Sequence, residues 1–444
     1  MSGSQAMINA FDPSKAERLD DRDRETVEKR DRLLGPSYRL FYDQPFHPVS
    51  AQGVWLHDAE GRRFLDAYNN VPSVGHCHTR VIEAVTKQMS ILNTHTRYLS
   101  DGVLDFAERL LDLFPSALDR VMFTCTGSEA NDLAIRVAKS ATGGSGIIIT
   151  RLAYHGVTET IAGLSPSLGS GVPPGRDVFA VDAPLDPRQG GDVAAAFALG
   201  VEGALAEMRR QGVRPAALLV DTIFSSDGIF SDPPGFLAPA VQLFREAGGL
   251  FIADEVQAGF GRTGDRFWGF QRHELTPDIV TMGKPMGNGY PVAAMVSRRD
   301  LLDDFGKKSR YFNTFGGSNV AMAAATAVLD IIRDEGLVEN ARTTGDHLRN
   351  GLIALSQSHP IIGSVRGAGL FIGVELLRGG AFDRPASQET AAVVNGLRER
   401  NILISASGPN ANVLKIRPPL PFGIAEADLL LSTLDSVLQT IPVA

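Results

Sequence analysis

Leu250-Phe251-Ile252-Ala253-Asp254-Glu255-Val256-Gln257 is a short apolar run that ends in two acids. Farther along, Ile279-Val280-Thr281-Met282-Gly283-Lys284-Pro285-Met286-Gly287-Asn288-Gly289 is a second run, ending in a lysine set in a glycine- and proline-rich loop. Brief apolar runs bounded by turn formers read as strands buried on both faces. Working outward, residues 121–125, 146–150, 217–222 and 293–297 have the same character, and helical patterns fill 128–140, 201–211 and 239–247. This alternation predicts an α/β fold with a largely parallel sheet covered by helices on both faces. Ligands of such sheets sit beyond the carboxyl ends of the strands, which is where Asp254 and Lys284 fall.

A chain of 444 residues is too long for one compact core. The expected division is 1–100 for an N-terminal arm and part of a small domain, 101–325 for the large domain, and 326–444 for the rest of the small domain. Residues 13–34 are dense in charge and predict an exposed helix ended by Gly35-Pro36. Residues 54–66 alternate around Asp58-Ala59-Glu60-Gly61 and predict a hairpin. After Asn319 a smaller α+β unit is expected, with strands at 361–365, 370–376, 402–405 and 413–416 and helices at 388–400 and 425–439.

A net charge of -8 argues against a nucleic-acid or anionic-membrane surface. The two cysteines, Cys77 and Cys125, give neither a disulfide framework nor a zinc spacing, so a cytoplasmic home is expected. Residues 1–15 lack the apolar segment of a signal peptide, and no run approaches the length of a membrane span.

The residues just beyond the strand ends carry the candidate chemistry. Thr124-Cys125-Thr126-Gly127-Ser128-Glu129-Ala130-Asn131 runs straight into a helix, and Gly127 and Ser128 there make either an anion seat or an ordinary serine cap. Tyr154-His155-Gly156 places an aromatic ring beside a glycine, suited to covering a flat ligand or to a plain turn. Asp254, at the end of a buried strand, needs a cation such as a protonated ring nitrogen, an arginine partner or a loop to cap. A lysine in a rigid loop at a strand end, as Lys284 is, suits Schiff-base chemistry better than surface solvation. Two decoys are set aside. Gly259-Phe260-Gly261-Arg262-Thr263-Gly264 has the dinucleotide spacing but no helical period after it. His76-Cys77-His78 lacks a third metal ligand, so no metal is expected.

Together these stretches, with Asn313-Thr314-Phe315-Gly316-Gly317, resemble the class III aminotransferase family of fold type I over roughly residues 35–440. The resemblance implies pyridoxal 5′-phosphate bound to Lys284 as a Schiff base, with Lys284 also moving protons. It implies Asp254 on the pyridinium nitrogen, Val256 and Tyr154 on the two ring faces, and Gln257 on the ring hydroxyl oxygen. Gly127 and Ser128 would hold the cofactor phosphate, completed by Thr314 of a neighbouring subunit, which implies a homodimer with shared active sites. Arg417 falls where the family places an arginine for the substrate's anionic group.

Several stretches look closest to the ethanolamine-phosphate phospho-lyases and the alanine–glyoxylate aminotransferase-2-like members. They include Leu34-Gly35-Pro36-Ser37, Val74-Gly75-His76-Cys77-His78 and Asn412-Val413-Leu414-Lys415-Ile416. Asp221-Thr222-Ile223-Phe224-Ser225-Ser226-Asp227-Gly228 departs from the family's usual Glu-Pro-Val-Gln-Gly-Glu-Gly, so Ser226 replaces the glutamate that pairs with the arginine in some transaminases. Gly316-Gly317-Ser318-Asn319 and Thr79 are further departures. Freed of that glutamate, Arg417 favours a small anionic amine as substrate. The expected reaction is 1,2-elimination of phosphate from O-phosphoethanolamine, with Arg417 and Arg97 as candidates for the phosphate, or Arg97 in a structural salt bridge. Transamination of an amine with a keto acid is the alternative. A non-catalytic binding or regulatory protein of the same fold is the third, opposed by the intact Lys284 and Asp254.

Overall fold

A computed structural model describes Met7 and residues 9–441 of the chain; part of the 1–15 segment lies outside the described residues. Its centre is a seven-stranded sheet in the order Arg120–Thr124, Ala293–Ser297, Ile279–Met282, Leu250–Asp254, Pro215–Asp221, Gly146–Thr150, Val178–Val181. The five strands from Ile279–Met282 to Val178–Val181 pair in parallel. Ala293–Ser297 runs antiparallel to both its neighbours. A parallel partner would need a crossover helix. Residues 283–292 contain none, so the chain turns straight back, and this return loop carries Lys284.

Alternate residues of the strands serve two cores. Leu218, Val220, Phe251, Ala253 and Val280 face one side, against Phe197, Val201, Val241 and Phe244 of the helices Val193–Gln211 and Ala238–Glu246. Ala217, Leu219, Ile252, Ile279 and Met295 face the other, against Leu133, Ala134 and Val137 of Gly127–Thr142 and Leu301 and Phe305 of Arg299–Lys308.

The N- and C-terminal segments share a second sheet, Ser50–Gln52, Trp55–His57, Arg63–Asp66 and Ile402–Leu403. The hairpin within it turns around Asp58, whose carboxylate accepts from Glu60 N at 3.1 Å, Arg62 N at 2.9 Å and Arg62 Nε at 2.6 Å. A third, antiparallel sheet joins Ile362–Ala368, Phe371–Leu376, Val413–Ile416 and Ser405–Ser407.

Local differences from the expected elements have physical causes. The 13–34 segment is a 3-10 turn, Pro13–Arg18, and a helix, Asp21–Leu34, which Asp20 caps by accepting from Asp23 N at 2.8 Å. The run at 402–405 divides between two sheets. Val193–Gln211 begins eight residues earlier than expected, capped by Asp192 on Ala195 N. Gly259–Gly264 opens no helix. A Cβ on Gly264 would lie 2.5 Å from Arg342 N, so this glycine serves close packing against the helix Leu337–Ser358.

Arg366 ties the third sheet to the central one. Its Nη1 donates to Asp186 Oδ2 at 2.9 Å and Glu375 Oε2 at 2.6 Å, its Nη2 to Gly228 O at 2.8 Å, and its Nε to Ile229 O at 2.8 Å. Removing one partner of a buried ion cluster strands the rest. Arg366→Met should therefore cost about 3–5 kcal/mol in urea denaturation. A cost below about 1 kcal/mol would show that the cluster does not hold the units together.

Candidate active site

Asp221, Asp254 and Thr281 stand in register at the carboxyl ends of three adjacent parallel strands. A cavity of about 300 Å³ opens there, and Asp221, Asp254 and Lys284 all reach it. Its walls include Gly127, Ser128, Tyr154, Gly156, Val256 and Gln257.

One wall is the start of the helix Gly127–Thr142. Thr126, not Ser128, caps it: Thr126 Oγ1 accepts from Glu129 N at 3.2 Å, and the Glu129 carboxylate accepts from Thr126 N at 3.0 Å and Cys125 N at 2.8 Å. Ser128 therefore is not the cap, and its Oγ accepts from Val157 N at 3.0 Å. Glycine is required at two points of this wall. A Cβ on Gly127 would lie 2.9 Å from Val256 Cγ2, and one on Gly156, with φ of +140°, would lie 2.3 Å from Ser128 Oγ.

The Asp254 carboxylate is buried and heavily bonded. Oδ2 accepts from His155 Nδ1 at 2.7 Å and Asn131 Nδ2 at 3.0 Å, and Oδ1 accepts from Val256 N at 3.0 Å. Asn131 is fixed in turn by Thr281 Oγ1, which donates to its Oδ1 at 2.6 Å, and by His155 O, which accepts from its Nδ2 at 2.8 Å. His155 Nδ1 faces the carboxylate, and its Nε2 is buried without a partner among the described residues. His155 and Asn131 stand in the sequence motifs, but the sequence alone assigned them no role. The signal was available: Asn131 lies one helical turn beyond Gly127, and His155 follows Tyr154 at a strand end.

Lys284 is half-buried on the cavity wall. Burial, then the positive charge of Arg417, lower its pKa from 10.5 to about 8, against the opposing pull of Asp254 and Asp221. Its Nζ lies 5.7 Å from the centre of the Tyr154 ring. Burial and then Asp254 push the Tyr154 phenol upward, so it stays protonated. Burial and Asp254 likewise raise Asp221, whose oxygens accept from Ile223 N at 3.2 Å and Ser225 N at 3.0 Å.

Arg417 stands behind Gln257 and is not on the cavity wall. Its Nη1 donates to Gln257 Oε1 and its Nε to Tyr68 O at 3.1 Å, with the guanidinium 4.7 Å from the Tyr68 ring centre. Gln257 Nε2 donates to Ser225 Oγ at 2.6 Å. Among the described residues, no carboxylate forms an ion pair with Arg417. Two other expected residues are not brought to this cavity. Arg97 is exposed and stacks 3.8 Å over the Phe312 ring, with no salt bridge among the described residues. Thr314 is exposed on the same stretch. The two histidines of the decoy metal motif pair with carboxylates, His76 with Asp66 at 2.7 Å and His78 with Glu335 at 3.0 Å.

The aminotransferase class-III family model matches residues 42–438. The chain belongs to the class III aminotransferase family. It is 37% identical over 420 residues to the alanine–glyoxylate aminotransferase 2-like protein of Drosophila melanogaster, covering 91% of this chain and 85% of that one. It is also 37% identical to ethanolamine-phosphate phospho-lyase homolog 1 of Caenorhabditis elegans, covering 96% of each. Among solved structures, a phospholyase from Arthrobacter in complex with phosphoethanolamine superposes with a TM-score of 0.90 at 41% identity, over 94% of this chain and all of that one. The fold is that of the fold type I enzymes. Class III aminotransferases are pyridoxal-phosphate-dependent, and this member is an enzyme of the lyase or transaminase kind.

A lowered lysine pKa has a direct consequence for reactivity, because only the neutral amine attacks an electrophile. In the cofactor-free protein, acylation of Lys284 followed by peptide mapping should speed up with pH to a midpoint near pH 8. A midpoint in the ordinary lysine range would contradict the burial of this side chain.

Proposed function

We propose that the cavity holds pyridoxal 5′-phosphate and that the enzyme eliminates phosphate from O-phosphoethanolamine, yielding acetaldehyde, ammonia and inorganic phosphate. The residues present fit the cofactor. The helix start at Gly127 and Ser128 offers backbone N–H groups to a phosphate. The glycines at 127 and 156 let the chain pack closely against Val256 and Ser128 along that wall. Val256 and Tyr154 stand ready to enclose a flat ring, and Asp254 offers its carboxylate to a protonated ring nitrogen. Lys284 supplies the amine for the covalent link.

When bound, the cofactor provides an electron sink for the carbon next to the substrate nitrogen. Lys284, with its amine free, would take the proton from that carbon at its Nζ. Asp254, held by hydrogen bonds from His155, Asn131 and Val256 N, would set its carboxylate against the ring nitrogen. The electron pair released by the proton forms the new C=C bond as the adjacent C–O bond breaks, and phosphate leaves with the C–O pair. One water molecule then completes the balance to acetaldehyde and ammonia.

Arg417 is the observation that carries the choice of an anionic substrate. A buried guanidinium without a carboxylate is poorly compensated, and an incoming anion supplies the missing charge. Ser226 cannot compete as a glutamate would. The similarity to the phospho-lyase homologue and to the phosphoethanolamine-bound structure supports the same reading.

Thr314 is read as reaching the cofactor phosphate of a second copy. Phe315, Tyr98 and Leu99 are exposed apolar side chains on its own stretch and on the Arg97 segment, and His95 packs edge-on against Phe312 at 5.8 Å. Exposed apolar surface of this kind supports a homodimer.

Incubation of the holoenzyme with O-phosphoethanolamine alone should release phosphate and acetaldehyde in equal amounts over many turnovers. Turnover only when a keto acid is added would instead establish a transaminase.

A further inference from the structure

Two residues before Arg417 lies Lys415, a second buried basic side chain that, like Arg417, stands behind the cavity wall. Lys415 lies on the strand Val413–Ile416 and Arg417 directly follows it. Here Lys415 Nζ lies 5.5 Å and Arg417 Cζ 5.7 Å from the centre of one ring, that of Phe371. Lys415 Nζ donates to Ser225 O at 2.9 Å, and in its ammonium form it has two further N–H groups with no partner among the described residues. Arg417 commits Nε and Nη1 to Tyr68 O and Gln257, and Nη2 bonds to no protein acceptor among the described residues.

The nearby acids are already engaged. Asp221 accepts from Ile223 N and Ser225 N, and Asp227 accepts from Thr150 Oγ1 at 2.7 Å and Leu152 N at 3.2 Å. Among the described residues, neither Lys415 nor Arg417 forms an ion pair. The pair is linked through one side chain of the cavity wall: Gln257 accepts from Arg417 and donates to Ser225 Oγ, on the residue whose carbonyl takes the Lys415 proton.

We propose that Lys415 and Arg417 form a two-cation seat for the phosphate of the substrate, and that Lys415 makes the site prefer a dianionic phosphate to a monoanionic carboxylate. This rests on the anionic substrate proposed for the site and names the residue that selects its charge. The phosphate takes the place of Gln257 Oε1 on Arg417 and meets the open N–H groups of Arg417 Nη2 and Lys415. Gln257 is thereby released toward the cavity. Burial and the neighbouring Arg417 hold Lys415 well below the usual lysine range, and an arriving dianion favours its ammonium form.

2-Aminoethylphosphonate and β-alanine share one amine and one carbon chain and differ in the anion, a phosphonate against a carboxylate. Their binding to the holoenzyme can be followed by the absorbance of the bound cofactor. The wild-type protein should bind the phosphonate at least about tenfold more tightly, as expected of a charge-assisted hydrogen bond. Lys415→Met should weaken the phosphonate roughly tenfold to a hundredfold and leave β-alanine within about twofold. Lys415→Arg, which keeps the charge, should retain most of the preference. Equal weakening of both ligands by Lys415→Met, or a wild-type protein without the preference, overturns the proposal; the second result needs no variant to fold. Should the wild-type enzyme show the preference and its loss in Lys415→Met, yet release no phosphate from O-phosphoethanolamine, the lyase reading fails while the seat stands.

Discussion

The site depends on holding one charged carboxylate still at the end of a buried strand. Asp254 can stay there because three donors converge on it, and those donors come from separate elements. Asn131 belongs to the helix Gly127–Thr142, His155 to the loop after Gly146–Thr150, and Val256 to the chain just beyond Asp254 itself. Thr281, on the next strand, fixes Asn131. Three residues later the chain reaches Lys284. The same parallel register that packs the core thus sets the distance between the acid and the amine. The antiparallel return after Met282 keeps the lysine over the strand ends, where a crossover helix would have carried the chain back along the sheet.

Around this centre the protein gathers more positive charge than it neutralises in pairs. Lys284, Lys415, Arg417 and Arg262 are all buried enough to have lowered pKa values. Arg262 is satisfied by carbonyls, donating to Leu370 O and Pro418 O, and it thereby links the loop after Asp254 to the segment that carries Arg417. That contact joins the Asp254 side of the site to the Arg417 segment, in the same way that Arg366 joins the sheets. A site of this composition is suited to a doubly phosphorylated interior, one phosphate on the cofactor and one on the substrate.

The sheet was legible in the sequence because its strands are buried on both faces and therefore read as uninterrupted apolar runs. Val178–Val181 escaped notice because it is a four-residue edge strand, half-buried, that looks like any loop with a few apolar residues. The start of Val193–Gln211 was hidden by a run of alanines that carries no helical period. Asp254, Lys284, Gly127 and Gly156 could be singled out, since each sits at the junction of a strand with a loop or helix. The linkage of Gln257 to Arg417 could not, because it depends on packing between segments 160 residues apart in the chain. No local pattern encodes such a contact. Ser128 shows the limit at short range: its position allowed a cap, but Thr126 had the better geometry for one.

All of this turns on which side chain carries the cofactor. Reduction of the holoenzyme with borohydride, followed by proteolysis and mass spectrometry, reads that directly. A pyridoxyl phosphate label on Lys284 alone is the predicted result. A label on another lysine, or no label in a protein that retains its yellow colour before reduction, would contradict the account.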